Sequence, residues 1–179
     1  MTPRMQIIRG LPGSGKTTLA INEFPDLFRI EADMYLTRGG EYVFTPELAA
    51  QATEWLYAQV EAAAEAGIDF VITGVFSGET ERLTNVIEIA ADRGYEVYIH
   101  TLDSDYGNTH GVPERTIKLM KAGFMSDDEL LWLLPESSGY MFGLMDKTKG
   151  VNDDKDEEYE NEDSDSKGTV GSSETAVGR

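Results

Sequence analysis

An α/β fold, with a parallel sheet covered by helices on both faces, is what this sequence predicts, and three observations carry it. Short apolar runs alternate with helix-period segments from Met5 to a last helix opened by Ser126-Asp127-Asp128-Glu129. The run Phe70-Val71-Ile72 is continuous rather than alternating, as in strands buried on both faces. The first run, Met5 to Arg9, leads through a glycine-rich turn directly into a helix. Strands alternating with helices at this spacing imply right-handed crossovers.

Taken in order, Met5 to Arg9 is a short apolar strand, Lys16 to Phe24 a helix, and Leu27 to Ile30 a second strand. Thr45-Pro46 offers an N-cap with proline at the first helical position. The helix behind it places Leu48, Ala52, Leu56, Val60 and Ala63 on one face and stops at Gly67. The strand at Phe70 to Ile72 follows, then a helix from Thr80 to Arg93, stopped by Gly94. Tyr95 to Leu102 is a strand with Val97 and Ile99 facing one way, and His100 within it reads as structural. Val112-Pro113 opens a helix to about Gly123, and Ser126-Asp127-Asp128-Glu129 is a capping box for a last one. Trp55 and Trp132 sit in helical apolar patterns and read as core, with capping of an exposed patch as the alternative for Trp132 in LLWLLP.

A chain of 179 residues is long enough for one well-buried core. It has no cysteine, so neither a disulfide framework nor a cysteine metal site is expected. MTPRMQIIRG lacks the apolar core of a signal peptide, and no run approaches a membrane span, so a cytoplasmic location is the expectation. The net charge is −18. Residues 146–179 hold eleven acids and five bases, and the preceding 145 residues hold 22 acids and 10 bases. The body is therefore acidic in its own right, which opposes sequence-independent binding of long nucleic acid. We expect a domain over residues 1–145 and a disordered acidic tail over 146–179, where dense like charge gives way to Gly, Ser and Thr. The oligomeric state is not legible.

The turn after the first strand, RGLPGSGKTT, satisfies G-x-x-x-x-G-K-[ST] through Gly10, Gly15, Lys16 and Thr17. Chance supplies the four fixed positions on the order of once in a hundred chains of this length. The glycines let the backbone curl into a nest of N–H groups that face phosphate oxygens, and the helix adds its positive end. Gly10, Leu11, Pro12, Gly13, Ser14, Gly15, Lys16, Thr17 and Thr18 are thus the expected ATP cradle. Lys16 can reach the β- and γ-phosphates, and the Thr17 hydroxyl can ligate Mg²⁺. The fold is accordingly of the kinase-type P-loop NTPase kind. No long apolar strand ends in Asp-Glu, as a motor would need, and no Asn-Lys-x-Asp reads guanine, which leaves the small-kinase class.

Asp33 follows the second strand, at the sheet edge where ligands bind in doubly wound folds. It could accept an acceptor hydroxyl's proton or hold metal-bound water near the phosphates. Spacing alone serves Glu31 equally well.

GLPGSGKTT, EADMY and GNTHGVPERTIKLM, in that order, resemble small bacterial and phage P-loop proteins related to the kinase domain of polynucleotide kinase. Zeta-toxin-type kinases are more distant relatives of that group. The resemblance spans roughly residues 5 to 125. It implies phosphoryl transfer from ATP with Mg²⁺, with Asp33 matching the general base, in the cytoplasm of a host cell if the gene is phage-borne. It also makes Asp103 to Pro113 a lid over ATP. Asn108 and His110 match N-x-H-G-V-P and become candidate nucleotide ligands; His110 could hydrogen-bond a phosphate or the base, or serve as a structural link fixing the loop against the helix.

Three departures from that group stand out. Thr73-Gly74-Val75-Phe76 replaces a polar Asn-Thr or Asp-Thr pair, leaving Thr73 and Ser77 as the nearby hydroxyls. No arginine lies between Asp103 and Pro113, so Arg115 and Arg38 become the candidates for neutralising phosphoryl charge. The third departure is the acidic body: Arg4, Arg9, Lys16 and Arg38 cluster in sequence around the active edge, enough for a single terminus or a small phosphorylated acceptor but no track for a duplex. The sequence thus reads as an ATP-dependent kinase acting on a hydroxyl acceptor, such as a polynucleotide 5′-hydroxyl. The alternatives are a small-metabolite or nucleoside kinase and a nucleotide-binding regulator with weakened catalysis.

Overall fold

The computed structural model describes residues 1–78, 80–108, 111–133 and 140–142, with side chains left aside at 80, 131–133 and 140–142. These residues all fall in one compact unit, Met1–Thr148. The acidic tail expected at 146–179, His110 and the side chain of Trp132 lie outside the described residues.

The chain runs β1 (Arg4–Gly10), α1 (Lys16–Glu23), β2 (Phe28–Glu31), α2 (Ala32–Leu36), β3 (Thr37–Arg38) and β4 (Glu41–Tyr42). It continues with α3 (Pro46–Glu65), β5 (Phe70–Gly74), α4 (Thr80–Ala91), β6 (Glu96–Leu102), α5 (Glu114–Ala122), α6 (Asp127–Leu133) and β7 (Tyr140–Phe142). Five strands form one sheet in the order β2-β5-β1-β6-β7, and every pairing is parallel. The α/β expectation holds, with α2, the β3–β4 hairpin and β7 as additions. Among the described residues, no helix is long and apolar enough to cross a membrane.

The pleat divides β1 between two cores. Met5 and Ile7 face the larger cluster, built with Leu56, Val60 and Ala63 of α3 and Leu83, Val86 and Ile87 of α4. Ile8 faces the smaller one, with Val71, Leu102 and Ala20 of α1. Ile7 sits in register with Ile72 on one side and Ile99 on the other, so branched side chains fill the centre. On the α1 face, His100 and Gln6 share a hydrogen bond of 2.7 Å, and the His100 ring lies 5.6 Å from that of Phe24. That is the structural setting expected for this histidine.

The longest helix, α3, starts as the sequence dictates. The Thr45 hydroxyl accepts from the Leu48 amide at 3.2 Å, and Pro46 occupies the first turn. Its buried stripe is Ala52, Leu56, Val60, Ala63 and Ala64. Trp55 is only half-buried and flanks the core, with its ring 6.0 Å from that of Tyr35.

Candidate active site

The parallel sheet aligns the C-terminal ends of β1, β2 and β5 along one edge, and the phosphate-cradle motif grows out of β1 there. Gly13 (φ 83°) and Gly15 (φ 86°) adopt left-handed backbone conformations, which the curl of the nest requires and side chains resist. A Ser14 amide to Leu11 carbonyl hydrogen bond of 3.1 Å closes the turn. Lys16 Nζ donates to the Leu11 carbonyl at 2.8 Å, so the ammonium rests on the loop that carries the motif. Burial pulls the Lys16 pKa down to about 8, against the opposing pull of the Asp33 and Glu31 carboxylates. An arriving phosphate would supply the missing counter-charge.

Thr17, in the first turn of α1, donates its hydroxyl to Glu31 Oε2 at 3.2 Å. Glu31 ends β2 at 7 % exposure, and its other oxygen lies 3.0 Å from Arg29 Nε. A hydroxyl beside a carboxylate is an all-oxygen donor set, of the kind Mg²⁺ takes alongside phosphates and water. Asp33 is two residues further on, in the first turn of α2, half-buried. The Tyr42 hydroxyl donates to Asp33 Oδ1 at 3.3 Å. Burial, reinforced by Asp33, raises the Tyr42 pKa to about 12, so the phenol keeps the proton it donates. Tyr42 stands on the hairpin that folds back over Asp33, and Val43 N–H to Leu36 carbonyl, 2.9 Å, ties the hairpin to α2. On the same hairpin the exposed Arg38 guanidinium lies 5.5 Å above the Tyr35 ring.

With this geometry in view, residues 5–111 match the family described as AAA domain (AAA_33). The chain belongs to that AAA domain family. An uncharacterized protein of Pasteurella multocida (strain Pm70) is 27% identical over 126 residues, covering 62% of this chain and 70% of that protein. A chain in the structure of the Pnkp1/Rnl/Hen1 RNA repair complex aligns with a TM-score of 0.56 at 16% identity, over 75% of this chain and 47% of its own. The APS kinase CysC of Mycobacterium tuberculosis aligns with a TM-score of 0.43 at 17% identity, over 73% of this chain and 98% of its own. This AAA domain thus spans about half the length of the RNA-repair chain, and its likeness to that chain is one of fold. The P-loop, kinase-like α/β fold agrees with the resemblance to polynucleotide-kinase-related proteins.

The AAA domain brings Lys16, Thr17, Glu31 and Asp33 to one edge and leaves other sequence candidates apart. Arg4 starts β1, at the opposite end from the cradle, where it pairs with Asp69 at 3.0 Å. Arg9 is fully buried. Its Nε donates to Thr101 Oγ1 at 2.8 Å, and an Nη group donates to the Met125 carbonyl and lies 3.3 Å from Asp127 Oδ1. The guanidinium also lies 4.4 Å above the Phe124 ring. The sequence cluster of four cations at the active edge is therefore corrected: Arg4 and Arg9 are held in structural contacts, and neighbours in sequence have diverged in space. Arg115 is exposed on the first turn of α5.

Asn108 braces its own loop. Its side-chain amide donates to the Val112 carbonyl at 2.6 Å and accepts from the Val112 N–H at 3.1 Å. The turn after β5 is likewise engaged. Phe76 is buried at φ 48°, Ser77 Oγ donates to the Met120 carbonyl, and Gly78 N–H donates to the Gly123 carbonyl at 2.8 Å. Where related proteins carry a polar pair, this turn instead fastens the end of α5.

Sequence reasoning overlooked Tyr42, although Arg38-Gly39-Gly40-Glu41 carries the signal of a two-residue hairpin turn. It weighed Glu31 against Asp33 from spacing alone. The structure gives the two carboxylates different partners, Thr17 for one and Tyr42 for the other.

Proposed function

We propose that this AAA domain is an ATP-dependent kinase that transfers the γ-phosphoryl group to a hydroxyl acceptor. The observation that carries the reading is the convergence of the glycine nest, Lys16, the Thr17–Glu31 pair and the Asp33–Tyr42 pair on one sheet edge. The backbone from Gly10 to Thr18 cradles the phosphates, and Lys16 moves from the Leu11 carbonyl to the β- and γ-oxygens. Thr17 and Glu31 would hold Mg²⁺, with Asp33 reaching it through water; the chemistry a bound Mg²⁺ supplies is charge neutralisation on the phosphate oxygens. Asp33 accepts the acceptor's proton as the acceptor oxygen attacks the γ-phosphorus and the bond to the β–γ bridging oxygen breaks to release ADP, and Tyr42 fixes the orientation of that carboxylate. Arg38 and Arg115 are the candidates to offset the negative charge that develops. We assign the kinase to residues 1–145 and an acidic appendage to 146–179.

The acceptor class we favour is a polynucleotide 5′-hydroxyl, consistent with the polynucleotide-kinase resemblance and with a body too acidic for duplex tracking. A nucleoside or small-metabolite kinase is the neighbouring reading. A nucleotide-binding regulator is favoured by two features, the arginine-free stretch 103–113 and the fastened turn after β5.

Incubation with γ-labelled ATP, Mg²⁺ and a panel of 5′-hydroxyl oligonucleotides, nucleosides and sugar phosphates tests the proposal. Label should appear on one acceptor class and drop by about 10²-fold or more in Lys16→Ala and Asp33→Asn. ATP binding with no transfer to any acceptor would favour the regulator.

A further inference from the structure

The stretch after β6 lies directly on the phosphate cradle. The Tyr106 N–H donates to the Gly13 carbonyl at 2.8 Å, and a Cβ placed on Gly13 would come within 2.5 Å of the Gly107 carbonyl oxygen. A Cβ on Gly15 would come within 3.1 Å of the Tyr106 ring at Cε2 and 3.3 Å at Cδ2. Gly107 N–H donates to Asp105 Oδ1 at 3.0 Å, which fixes the turn that presents the ring. The two motif glycines therefore serve a second purpose: they leave room for this stretch to close onto the loop.

Tyr106 is nevertheless 69 % exposed. One ring edge rests on Gly15, and most of the ring is open to solvent. A large aromatic side chain held this way gains little from burial, and its main chain is already anchored. What it offers is a fixed aromatic surface next to a site built for a phosphate chain. A nucleoside triphosphate joins such a chain to a planar base, and base–aromatic stacking tolerates any base because each has a π-face.

We infer that Tyr106 is the stacking platform for the base of the nucleotide whose phosphates occupy the Gly10–Thr18 cradle. The assignment rests on the nucleotide-binding part of the proposed function and adds to it the residue that distinguishes a nucleotide from a bare polyphosphate. Asn108, two residues further on, is itself held by a double hydrogen bond to Val112.

Calorimetric titration of the full chain with Mg²⁺-ATP and, separately, with Mg²⁺-tripolyphosphate tests the assignment, using wild type, Tyr106→Ala and Tyr106→Phe. Wild type should bind ATP more tightly than tripolyphosphate. Tyr106→Ala should weaken ATP binding by about tenfold while leaving tripolyphosphate unchanged, and Tyr106→Phe should retain wild-type preference. An alanine variant that binds ATP as wild type does, or that loses affinity for both ligands equally, overturns the platform and leaves nucleotide binding standing. Wild type that binds neither ligand overturns both.

Discussion

Lys16 is the residue at which the electrostatics of the site can be read most directly. Its pKa of about 8 comes from burial, only partly offset by Asp33 and Glu31. A bound triphosphate adds negative charge and raises that pKa, so binding at pH above 8 must take up a proton. The sign follows: nucleotide affinity should be highest where the free protein already carries the ammonium and fall as pH rises through 8. Phosphate oxygens, with a second pKa near about 6, are already ionised there and add no opposing trend. We therefore expect the Kd for ATP to rise from pH 7.5 to 9.5, approaching about tenfold per unit at the upper end. In Lys16→Met the affinity should be weaker and nearly flat over that range. Titrations in two buffers of different ionisation enthalpy would show the proton uptake, and its absence in wild type would remove Lys16 from the phosphate site.

At the level of elements, the segment joining α5 to α6 is fastened to the sheet edge from two sides. Ser77 and Gly78 hold Met120 and Gly123, while Arg9 holds Met125 and Asp127. A buried guanidinium is costly to strand, because its desolvation is offset only by its partners. Among the described residues Asp127, with a side chain 24 % exposed, supplies the anionic partner within ion-pair distance of Arg9. Asp127→Ala should lower unfolding free energy by about 2 kcal/mol, below the full value for a fully buried pair because Thr101 and the Met125 carbonyl remain. Urea unfolding measures it, and a change within about 0.5 kcal/mol would mean that the pair is dispensable. The same region shows what was legible in the sequence. The cradle was, because strand, glycines and helix are contiguous and each is specified locally. The role of Arg9 could have been read from alternation, since it shares a face with Met5 and Ile7 and must enter the same core side. Its partners could not, because Thr101 and Asp127 are about a hundred residues away in sequence and meet it only through the fold. Asp33 and Glu31 were visible as a pair of carboxylates after β2, but which one meets Thr17 depends on how β2 passes into α2. Spacing alone does not set that.

For the whole molecule, the governing quantity is a net charge of −18, with −12 of it in the first 145 residues. A polyanionic acceptor approaches against that field, and added salt screens the repulsion within a Debye length of about 10 Å at 0.1 M. Proteins that grip single strands through many cations behave in the opposite way, releasing counterions and losing affinity with a log–log slope of about −0.7 per phosphate neutralised. Arg38 and Arg115 are the exposed cations we propose for the acceptor, while Arg4 and Arg9 are engaged elsewhere and Lys118 pairs with Glu114 on α5. On this proposal only the end of a strand is held. If the acceptor is a polynucleotide 5′-hydroxyl, its KM should not improve as the oligonucleotide is lengthened beyond the first few nucleotides. From 50 to 200 mM salt, that KM should rise by no more than about twofold, where six to ten phosphate contacts would cost on the order of 10³ or more. Steady-state kinetics on a length series at fixed ATP supplies both measurements. A steep loss of affinity with salt that grows with length would require a basic track, which this acidic surface would have to assemble from its few exposed cations.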